Sequence, residues 1–226
     1  MSRGASDTSA PAASARSTGP RRQARAQATR ANLIDAALAE FAAHGYEGTS
    51  TRAIAAAAQT QQPQINYHFS SKEELWKAAV DHLFRRLDDA IRRWVDASPA
   101  PTDKRSAFAR QVRAFVHAAA ELPELNRIMV QEATVASDRL TWIVAHHTRP
   151  RFESITQLWG ELRSDGIVAD VDEVVLYYAL VGAASLPFVN APEALLLGHD
   201  TLDPSFIEAH ADALVAMLLG PNGVAS

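Results

Sequence analysis

The sequence predicts an all-α protein with three short helices near its N-terminus, one long connecting helix, and a larger helical region beyond it. Apolar residues recur every three or four positions through most of the 226 residues, which is the period of one helix face. No stretch shows the sustained alternation of apolar and polar residues that a half-buried strand requires. Glycine or proline follows several of the periodic segments, where a helix is expected to end.

The first predicted helix starts near Ala24. Its apolar face carries Leu33, Ala37 and Phe41 at four-residue spacing. We expect Gly45 to end this helix, because glycine tolerates the left-handed conformation that follows a last helical turn.

Two short helices are predicted next, over residues 51–58 and 61–68, with a tight break at Gln59 and Thr60 between them. Pro63 is compatible with the second of these helices, because the first turn of a helix has no internal partner for the N–H that proline lacks. Two short helices with a tight break, supported by a longer helix on each side, form the unit that places a helix in the major groove of DNA.

A long helix is predicted to begin at a capping serine, Ser70 or Ser71, and to end before Pro99. Its apolar stripe consists of Leu75, Ala79, Leu83, Leu87, Ile91 and Val95. Beyond it the periodicity predicts further helices over residues 103–120, 122–136, 138–165 with a kink at Pro150, 170–186 and 204–219.

Composition excludes several kinds of chemistry. The chain has no cysteine, which rules out disulfides, thiol catalysis and cysteine-ligated zinc or iron–sulfur sites. No apolar run reaches the roughly 18 residues of a membrane-spanning helix. The segment from Met1 to Asn32 contains none of the leucine, isoleucine, valine or phenylalanine that a secretory signal needs. We therefore expect a cytoplasmic protein without a membrane partner.

No sequence motif points to an enzyme. The chain has no Gly-x-Ser-x-Gly elbow, no phosphate-binding glycine loop and no His-Glu-x-x-His helix, so neither a catalytic residue nor a cofactor is predicted. His117 and Glu121 share a helix face, and His146 and His147 are adjacent. A metal site needs three or four converging ligands, and no metal site is predicted.

Charge is distributed unevenly along the chain, although the net charge is only −4. Residues 1–96 hold 13 basic and 10 acidic side chains, whereas residues 97–226 hold 9 basic and 16 acidic ones. No acidic residue interrupts the series Arg16, Arg21, Arg22, Arg25 and Arg30. A basic arm before an acidic body is typical of a DNA-binding protein with a separate second domain, although a solubilising tail would have the same composition.

The second short helix carries the chemistry expected of a DNA-reading surface. Amides recognise adenine in the major groove, arginine recognises guanine, and hydroxyl or imidazole groups contact phosphates. A lysine at the start of the next helix can meet a phosphate together with free backbone N–H groups. The predicted DNA-binding residues are Thr49, Ser50, Thr51, Arg52, Gln61, Gln62, Pro63, Gln64, Asn66, Tyr67, His68 and Lys72.

Residues 24–84 resemble the DNA-binding domain of the TetR family of transcriptional regulators. The resemblance rests on four segments: Gly45-Tyr46, Thr49-Ser50-Thr51-Arg52-Ala53-Ile54-Ala55, Gln62-Pro63-Gln64-Ile65-Asn66-Tyr67-His68-Phe69 and Ser71-Lys72-Glu73-Glu74-Leu75. It implies a nine-helix homodimer in which three helices bind DNA, the fourth connects, and the remainder forms a ligand-sensing and dimerisation domain. Most members are repressors that a small molecule releases from DNA.

Three positions depart from the family pattern. Gln59 stands where the family usually has glycine, Thr60 where it has a hydrophobic residue such as valine, and Ala53 where it has an acidic residue. A non-glycine residue in the left-handed region costs about 1 kcal/mol, so we expect strain in the turn. These departures leave the DNA-facing residues unchanged.

Composition and the resemblance together divide the chain into a disordered basic arm over residues 1–23, a helix-turn-helix domain over 24–84, a ligand-sensing and dimerisation domain over 85–220, and a tail over 221–226. We hypothesise that the arm enters the adjacent minor groove. Aromatic or soft side chains could line a ligand cavity or simply form core. The candidates for the pocket are Phe115, Met129, Glu132, Trp142, His146, Trp159 and Tyr178.

Glu132 is singled out because it lies on an apolar helix face, where a buried carboxylate needs a partner; an arginine on a neighbouring helix or a ligand would satisfy it. The small residues of the penultimate helix and the apolar stripe of the last one predict a four-helix interface between two copies. The interface candidates are Val181, Gly182, Ser185, Ile207, Ala211, Leu214 and Leu218.

The sequence therefore predicts a homodimeric regulator that binds double-stranded operator DNA, most simply a repressor released from a palindromic operator by a small organic effector. Two alternatives remain: a helical protein–protein adaptor, and a regulator without a small-molecule ligand. The salt dependence of binding distinguishes a DNA-binding protein from an adaptor, because binding through several phosphates weakens steeply as the salt concentration rises.

Overall fold

The structure, a computed structural model, describes residues 18–220 of the chain, with side chains from residue 21 onward. Within that range all regular elements are helices, and none is long and apolar enough to span a membrane. They are α1 (Thr18–Gly48), α2 (Thr51–Ala57), α3 (Gln62–His68), α4 (Lys72–Ala97), α5 (Lys104–Glu121), α6 (Pro123–Ala133), α7 (Asp138–Ile143), α8 (Arg149–Ser164), α9 (Glu173–Val189), α10 (Ala191–Leu196) and α11 (Pro204–Leu219).

Helix α1 begins at Thr18, six residues before the predicted start. The prediction of a disordered arm over residues 1–23 is therefore wrong for residues 18–23. Arginine, glutamine and alanine favour helix and extend it beyond the apolar face, and Pro20 falls in the first turn, where it is tolerated. The rest of the predicted arm, including Arg16, and the tail over 221–226 lie outside the described residues.

Gly45 breaks the path of α1, as the sequence predicted. Its backbone takes φ +70° and ψ 173°, and a short helical turn continues from there to Gly48. The left-handed φ explains the need for glycine at this position, because a Cβ is strained in this conformation. The break turns the chain from α1 toward the two short helices.

The turn between α2 and α3 contains the strain that the sequence predicted. Gln59 has φ +52°, the only positive φ of a non-glycine residue among residues 18–220. The N–H of Gln59 donates to the carbonyl of Ala56, and the N–H of Thr60 donates to that of Ala55. Asn32 on α1 holds the end of α2 by donating its amide to the carbonyl of Ala58 over 2.8 Å.

Replacing Gln59 with glycine is expected to raise the free energy of unfolding by about 0.5 kcal/mol. Relief of about 1 kcal/mol of left-handed strain is partly offset by the greater entropy of glycine in the unfolded chain. Urea unfolding followed by circular dichroism measures the change. Gln59→Val is the matched control and should destabilise the protein, because a β-branched side chain is poorly accommodated at positive φ. If Gln59→Gly lowers the free energy of unfolding, the backbone of Gln59 is not strained.

One apolar core joins the three N-terminal helices to the region beyond α4. It contains Trp76 and Leu83 of α4, both fully buried, and it continues into Leu125 and Ile128 of α6 and Ile143 of α7. The predicted domain boundary between residues 84 and 85 lies in the middle of α4, and the packing is continuous across it. A second core fills the space between α5, α8, α9 and α11.

The helix predicted over residues 138–165 is interrupted by a wider π-helical turn, Val144–Thr148, just before Pro150. Proline cannot donate the hydrogen bond of a regular helix, and a π turn absorbs the mismatch where a kink was expected. Counting α7, this turn and α8 as one, residues 18–220 form ten helices where the resemblance implied nine. The additional helix is α10, six residues long.

Candidate nucleic-acid interface and internal cavity

Helix α3 presents its amide-rich face outward. Gln61, Gln62, Gln64 and Asn66 are exposed, together with Pro63 and with Tyr67, which is 69% exposed. The opposite face is anchored in the core by Ile65 and Phe69, which are 1% and 5% exposed. The side chains predicted to reach base edges are therefore free to do so, and the helix that carries them is held by packing.

Helix α2 adds a second group of candidate residues beside α3. Arg52 is exposed, and Ser50 caps α2 by accepting the N–H of Ala53. Thr51 accepts a hydrogen bond from the Nε2 of Gln62 over 3.2 Å, which ties the first turn of α2 to that of α3. This arrangement places the arginine and the amides on neighbouring helices of one unit.

Thr49 does not belong to the exposed set, contrary to the prediction. Its side chain is 3% exposed, and its Oγ1 lies 2.8 Å from the carbonyl oxygen of Gly45 and 3.0 Å from that of Glu40. The hydroxyl caps the broken end of α1 and is not available to a phosphate. The sequence favoured a DNA contact because threonine at a helix start serves both roles.

Lys72 and His68 border the α3 surface, each half-buried. The Nζ of Lys72 lies 4.2 Å from the ring centroid of Tyr46, a cation–π contact that orients it at the start of α4. Burial and the nearby charge of Arg30 lower the pKa of His68 below its usual value, which favours the neutral imidazole. Arg30 itself lies over the ring of Phe69.

The carboxylate of Glu132 is buried and paired, and is not a pocket residue. The Nε of Arg139 on α7 donates to both of its oxygens at 3.1–3.2 Å, which is the arginine partner that the sequence analysis considered. Arg139 also reaches Glu47 over 3.3 Å and lies 3.9 Å from the ring centroid of Tyr46. The guanidinium thus joins α6 and α7 to the end of α1.

A cavity of about 490 Å³ lies between α4, α5, α6, α8 and α9, within the size range of small-molecule sites. Two predicted pocket residues, Phe115 and Met129, line it. Most of the lining was not predictable from the sequence, because residues of five helices meet here and the pattern of a single helix does not reveal them. Among the missed residues are Phe84, Asp88, Phe108, Gln111, Asn126, Arg151 and Tyr177.

The other predicted pocket residues lie elsewhere. Trp142 packs edge-on against Trp76, and the ring of His146 stacks on Trp142 outside the cavity. Trp159 is 2% exposed in the second core, and Tyr178 is 70% exposed on the outer side of α9. The aromatic next to it, Tyr177, is the one that faces inward. A shift of one residue on a helix changes the side-chain direction by 100°, and residue type alone does not fix it.

The predicted interface residues are also mostly internal. Ser185, Ala211 and Leu214 are buried, and Val181 lines the cavity. Ile207 and Leu218 are partly buried against the second core, and Gly182 is exposed. The stripe of α11 was assigned to a partner, whereas it completes the core of its own chain.

The same two helices also carry exposed apolar faces. On α9 the exposed face consists of Val175, Tyr178, Ala179, Gly182 and Leu186, and on α11 of Ala209, Ala213 and Met217. Leu186 is 54% exposed and Met217 70% exposed. These residues follow helical spacing on the side opposite the core. We refer to them together as the α9–α11 outer face.

The pKa of His147 is lowered mainly by burial, although its hydrogen bond to Asp81 opposes that effect. Burial is the main cause of lowered pKa values at His68, His82 and His117 as well. Below the usual histidine pKa of 6.5, the unfolded chain binds protons that the folded protein does not. Stability should therefore fall as the pH drops below about 6.5.

Urea unfolding at pH 7.5 and pH 5.5 tests this expectation. The midpoint should fall at the lower pH, and it should fall less for His147→Gln, which removes one of the four groups. If the variant and the unmodified protein lose the same amount, His147 contributes nothing to the pH dependence.

Comparison with known families decides what kind of protein carries these features. Residues 33–79 match the family described as bacterial regulatory proteins, tetR family. Residues 101–221, more than half of the chain, match the C-terminal domain of the HTH-type transcriptional dual regulator CecR. The chain belongs to the TetR family. The first match of this TetR-family chain covers α2, α3 and the start of α4, including the exposed face of α3. The second covers the α9–α11 outer face and the cavity lining except for the residues of α4.

Similar proteins include two named repressors. The chain is 33% identical over 75 residues to the HTH-type transcriptional repressor NicS of Pseudomonas putida, covering 33% of this chain and 35% of NicS. It is 38% identical over 69 residues to the HTH-type nicotine-responsive transcriptional repressor HdnoR of Paenarthrobacter nicotinovorans, covering 30% and 36%. The matched segment thus spans about a third of the length of these repressors.

Solved structures of similar fold cover nearly the whole of their own chains. AibR, solved in complex with isovaleryl coenzyme A and operator DNA, superposes with a TM-score of 0.63 at 20% identity, covering 85% of this chain and 99% of AibR. A TetR-family regulator from Marinobacter aquaeolei gives a TM-score of 0.65 at 19% identity, covering 87% and 98%. At this identity the likeness concerns the fold, and it confirms the all-α architecture with an N-terminal helix-turn-helix.

Proposed function

We propose that this TetR-family protein is a sequence-specific DNA-binding repressor, active in the cytoplasm as a homodimer and released from a palindromic operator by a small organic effector. The observation that carries the proposal is the exposed amide face of α3, held in place by Ile65 and Phe69. Amide and aromatic hydroxyl groups on a rigid, exposed helix have the chemistry of direct readout in the major groove. Arg52 on α2 and Lys72 on α4 supply positive charge beside that helix.

The α9–α11 outer face supports the homodimer. Contiguous apolar surface on two adjacent helices is unfavourable in water, and a copy of the same face covers it in a two-fold arrangement. Two recognition helices would then enter successive major grooves, about 34–36 Å apart, of an operator with matching symmetry. A single α3 makes few contacts with DNA, and the two α3 helices of a dimer double that number.

The cavity supports control by an effector. Its wall includes Phe84, Leu87 and Ile91 of α4, the helix that continues from the DNA-binding unit. A ligand that fits the cavity better in one orientation of α4 shifts the population toward that orientation and changes the spacing of the two α3 helices. The nicotine response of HdnoR and the isovaleryl coenzyme A bound to AibR belong to those proteins, and they support the proposal of an effector for this chain.

The helical start of α1 gives the proposed arm a definite form. Arg21, Arg22 and Arg25 are exposed on the first turns of α1, and no acidic side chain interrupts them. Such a basic helical end can contact backbone phosphates or the adjacent minor groove next to the site that α3 occupies. We propose that it adds affinity without adding sequence preference.

Arg52→Ala is expected to weaken operator binding about 10- to 100-fold, and Tyr67→Phe about 3- to 10-fold, the usual range for a lost base or phosphate contact. Binding is measured by fluorescence anisotropy on DNA that flanks the protein's own gene, at two salt concentrations. Both residues are exposed, so their thermal unfolding midpoints should stay unchanged.

Arg85→Ala is the matched control, because Arg85 is an exposed arginine on α4 away from α3. It should bind like the unmodified protein. Full affinity of both α2 and α3 variants, or binding that ignores salt, would transfer the contact surface to another part of the molecule and favour a protein–protein adaptor.

A further inference from the structure

The cavity has mostly apolar walls and a single charged corner. Phenylalanine, leucine, isoleucine, valine and methionine side chains dominate the lining, together with a few uncharged polar groups such as Gln111, Asn126 and Ser154. The two charged lining residues are Asp88 on α4 and Arg151 on α8. They are bonded to each other, with 2.6 Å between the Nη2 of Arg151 and the Oδ1 of Asp88. An occupant therefore meets hydrocarbon and aromatic surface on most sides and one ion pair.

The two members of this ion pair are held very differently. The guanidinium of Arg151 also donates to the carbonyl of His147 over 2.9 Å and lies 4.7 Å from the ring centroid of Phe84. The carboxylate of Asp88 has Arg151 as its partner and accepts no other hydrogen bond among residues 18–220. The side chain of Arg151 is 29% exposed, and that of Asp88 is 48% exposed. The cation is fixed in the wall, whereas the anion is free to turn into water.

This asymmetry determines which ligand charge the corner accepts. A ligand carboxylate can take the place of Asp88 on the guanidinium, because Asp88 regains hydration when it turns outward and the planar fork of arginine suits a carboxylate. A ligand cation would have to displace Arg151, which would give up the His147 carbonyl and the Phe84 ring as well. Exchange of the anion is the less costly of the two.

We propose that the effector is an amphipathic monocarboxylate, with a hydrocarbon or aromatic body in the cavity and a carboxylate that replaces Asp88 on Arg151. This inference rests on the proposed function, since it names the ligand class of the proposed effector site. The exchange removes the ion pair between α4 and α8 beside the π turn. It thereby releases α4, the helix that carries the DNA-binding unit, from one of its ties to the rest of the molecule.

Calorimetric titration of the free full-length protein tests the ligand class without DNA. The probes are two matched sets: 4-phenylbutyrate, 4-phenylbutanamide and 4-phenylbutylamine, and decanoate, decanamide and decylamine. In at least one set, we expect the acid to bind about tenfold or more tightly than its amide, which is the scale of one charge-assisted hydrogen bond. The amine should bind no more tightly than the amide.

Variants separate the roles of the two charged residues. Arg151→Gln should reduce binding of the acid to the level of the amide. Asp88→Asn should strengthen binding of the acid several-fold and leave the amide unchanged, a gain that misfolding cannot imitate. Arg163→Gln is the matched control, because Arg163 lies on the same helix and pairs with Asp170 at 2.9 Å but does not line the cavity.

An amine that binds more tightly than its acid, equal binding of acid and amide in both sets, or no binding of any of the six probes would overturn the proposal. Operator binding is measured separately on the same preparations. Intact operator binding with no preference for acids refutes the ligand class and leaves the DNA-binding function standing. Acid binding without operator binding refutes the DNA-binding function and leaves the ligand class standing.

Discussion

Arg139→Met is expected to lower the free energy of unfolding by about 3 kcal/mol, the largest stability effect predicted for this chain. Arg139 donates to both oxygens of Glu132, whose side chain is only 7% exposed, and it contacts Tyr46 and Glu47 at the end of α1. Without the guanidinium, a buried carboxylate loses its partner and keeps the cost of desolvation. Chemical denaturation at neutral pH measures the loss.

Two controls isolate the buried charge as the cause. The double variant Arg139→Met with Glu132→Gln should recover part of the loss, because the uncompensated charge is gone. Arg163→Met breaks the exposed pair with Asp170 and should cost less than about 1 kcal/mol. A single Arg139 variant no less stable than the Arg163 variant would show that Glu132 needs no partner.

Leu186→Glu is expected to convert the proposed homodimer into a monomer and to weaken operator binding about 100-fold or more. Leu186 lies on the α9–α11 outer face, and the two-fold arrangement places two copies of the introduced carboxylate in one apolar interface, where unpaired charge is strongly unfavourable. Because Leu186 is 54% exposed in the isolated chain, the monomer itself should stay folded. Light scattering coupled to size exclusion gives the mass, and anisotropy gives the operator affinity.

Val130→Glu provides the matched control, since Val130 is 58% exposed on α6, outside the proposed interface. It should remain dimeric and bind the operator normally. A dimeric Leu186 variant would place the interface on another surface, whereas a monomeric variant with full operator affinity would separate dimerisation from DNA binding.

The exposed face of α3, the proposed DNA-binding surface, was predictable because it depends on local order along the chain. A capping serine, a break at Gln59 and Thr60, and a short helix with apolar residues only at Ile65 and Phe69 determine which side chains face outward. The sequence located these features within one or two residues, and even the strain at Gln59 follows from residue type. Thr49 was misplaced because its hydroxyl finds carbonyl partners across the break at Gly45.

The cavity and the α9–α11 outer face were not predictable in the same way. Tyr177 and Tyr178 are adjacent and chemically alike, yet one lines the cavity and the other faces outward. Ala211 and Leu214 form an apolar stripe that fits a partner helix or the protein's own core equally well. Which of these faces is covered depends on how α5, α8, α9 and α11 assemble, and that information is distributed over distant parts of the chain.

The continuity of the first core across α4 has a mechanical consequence. Phe84, Leu87 and Leu125 belong to the core that supports α1–α3, and the same three side chains form part of the cavity wall. A molecule that enters the cavity therefore contacts side chains of the core on which α1–α3 pack. No chain of intermediate residues is needed to connect the cavity with those helices. The proposed effector site and the proposed DNA-binding unit therefore share these three side chains.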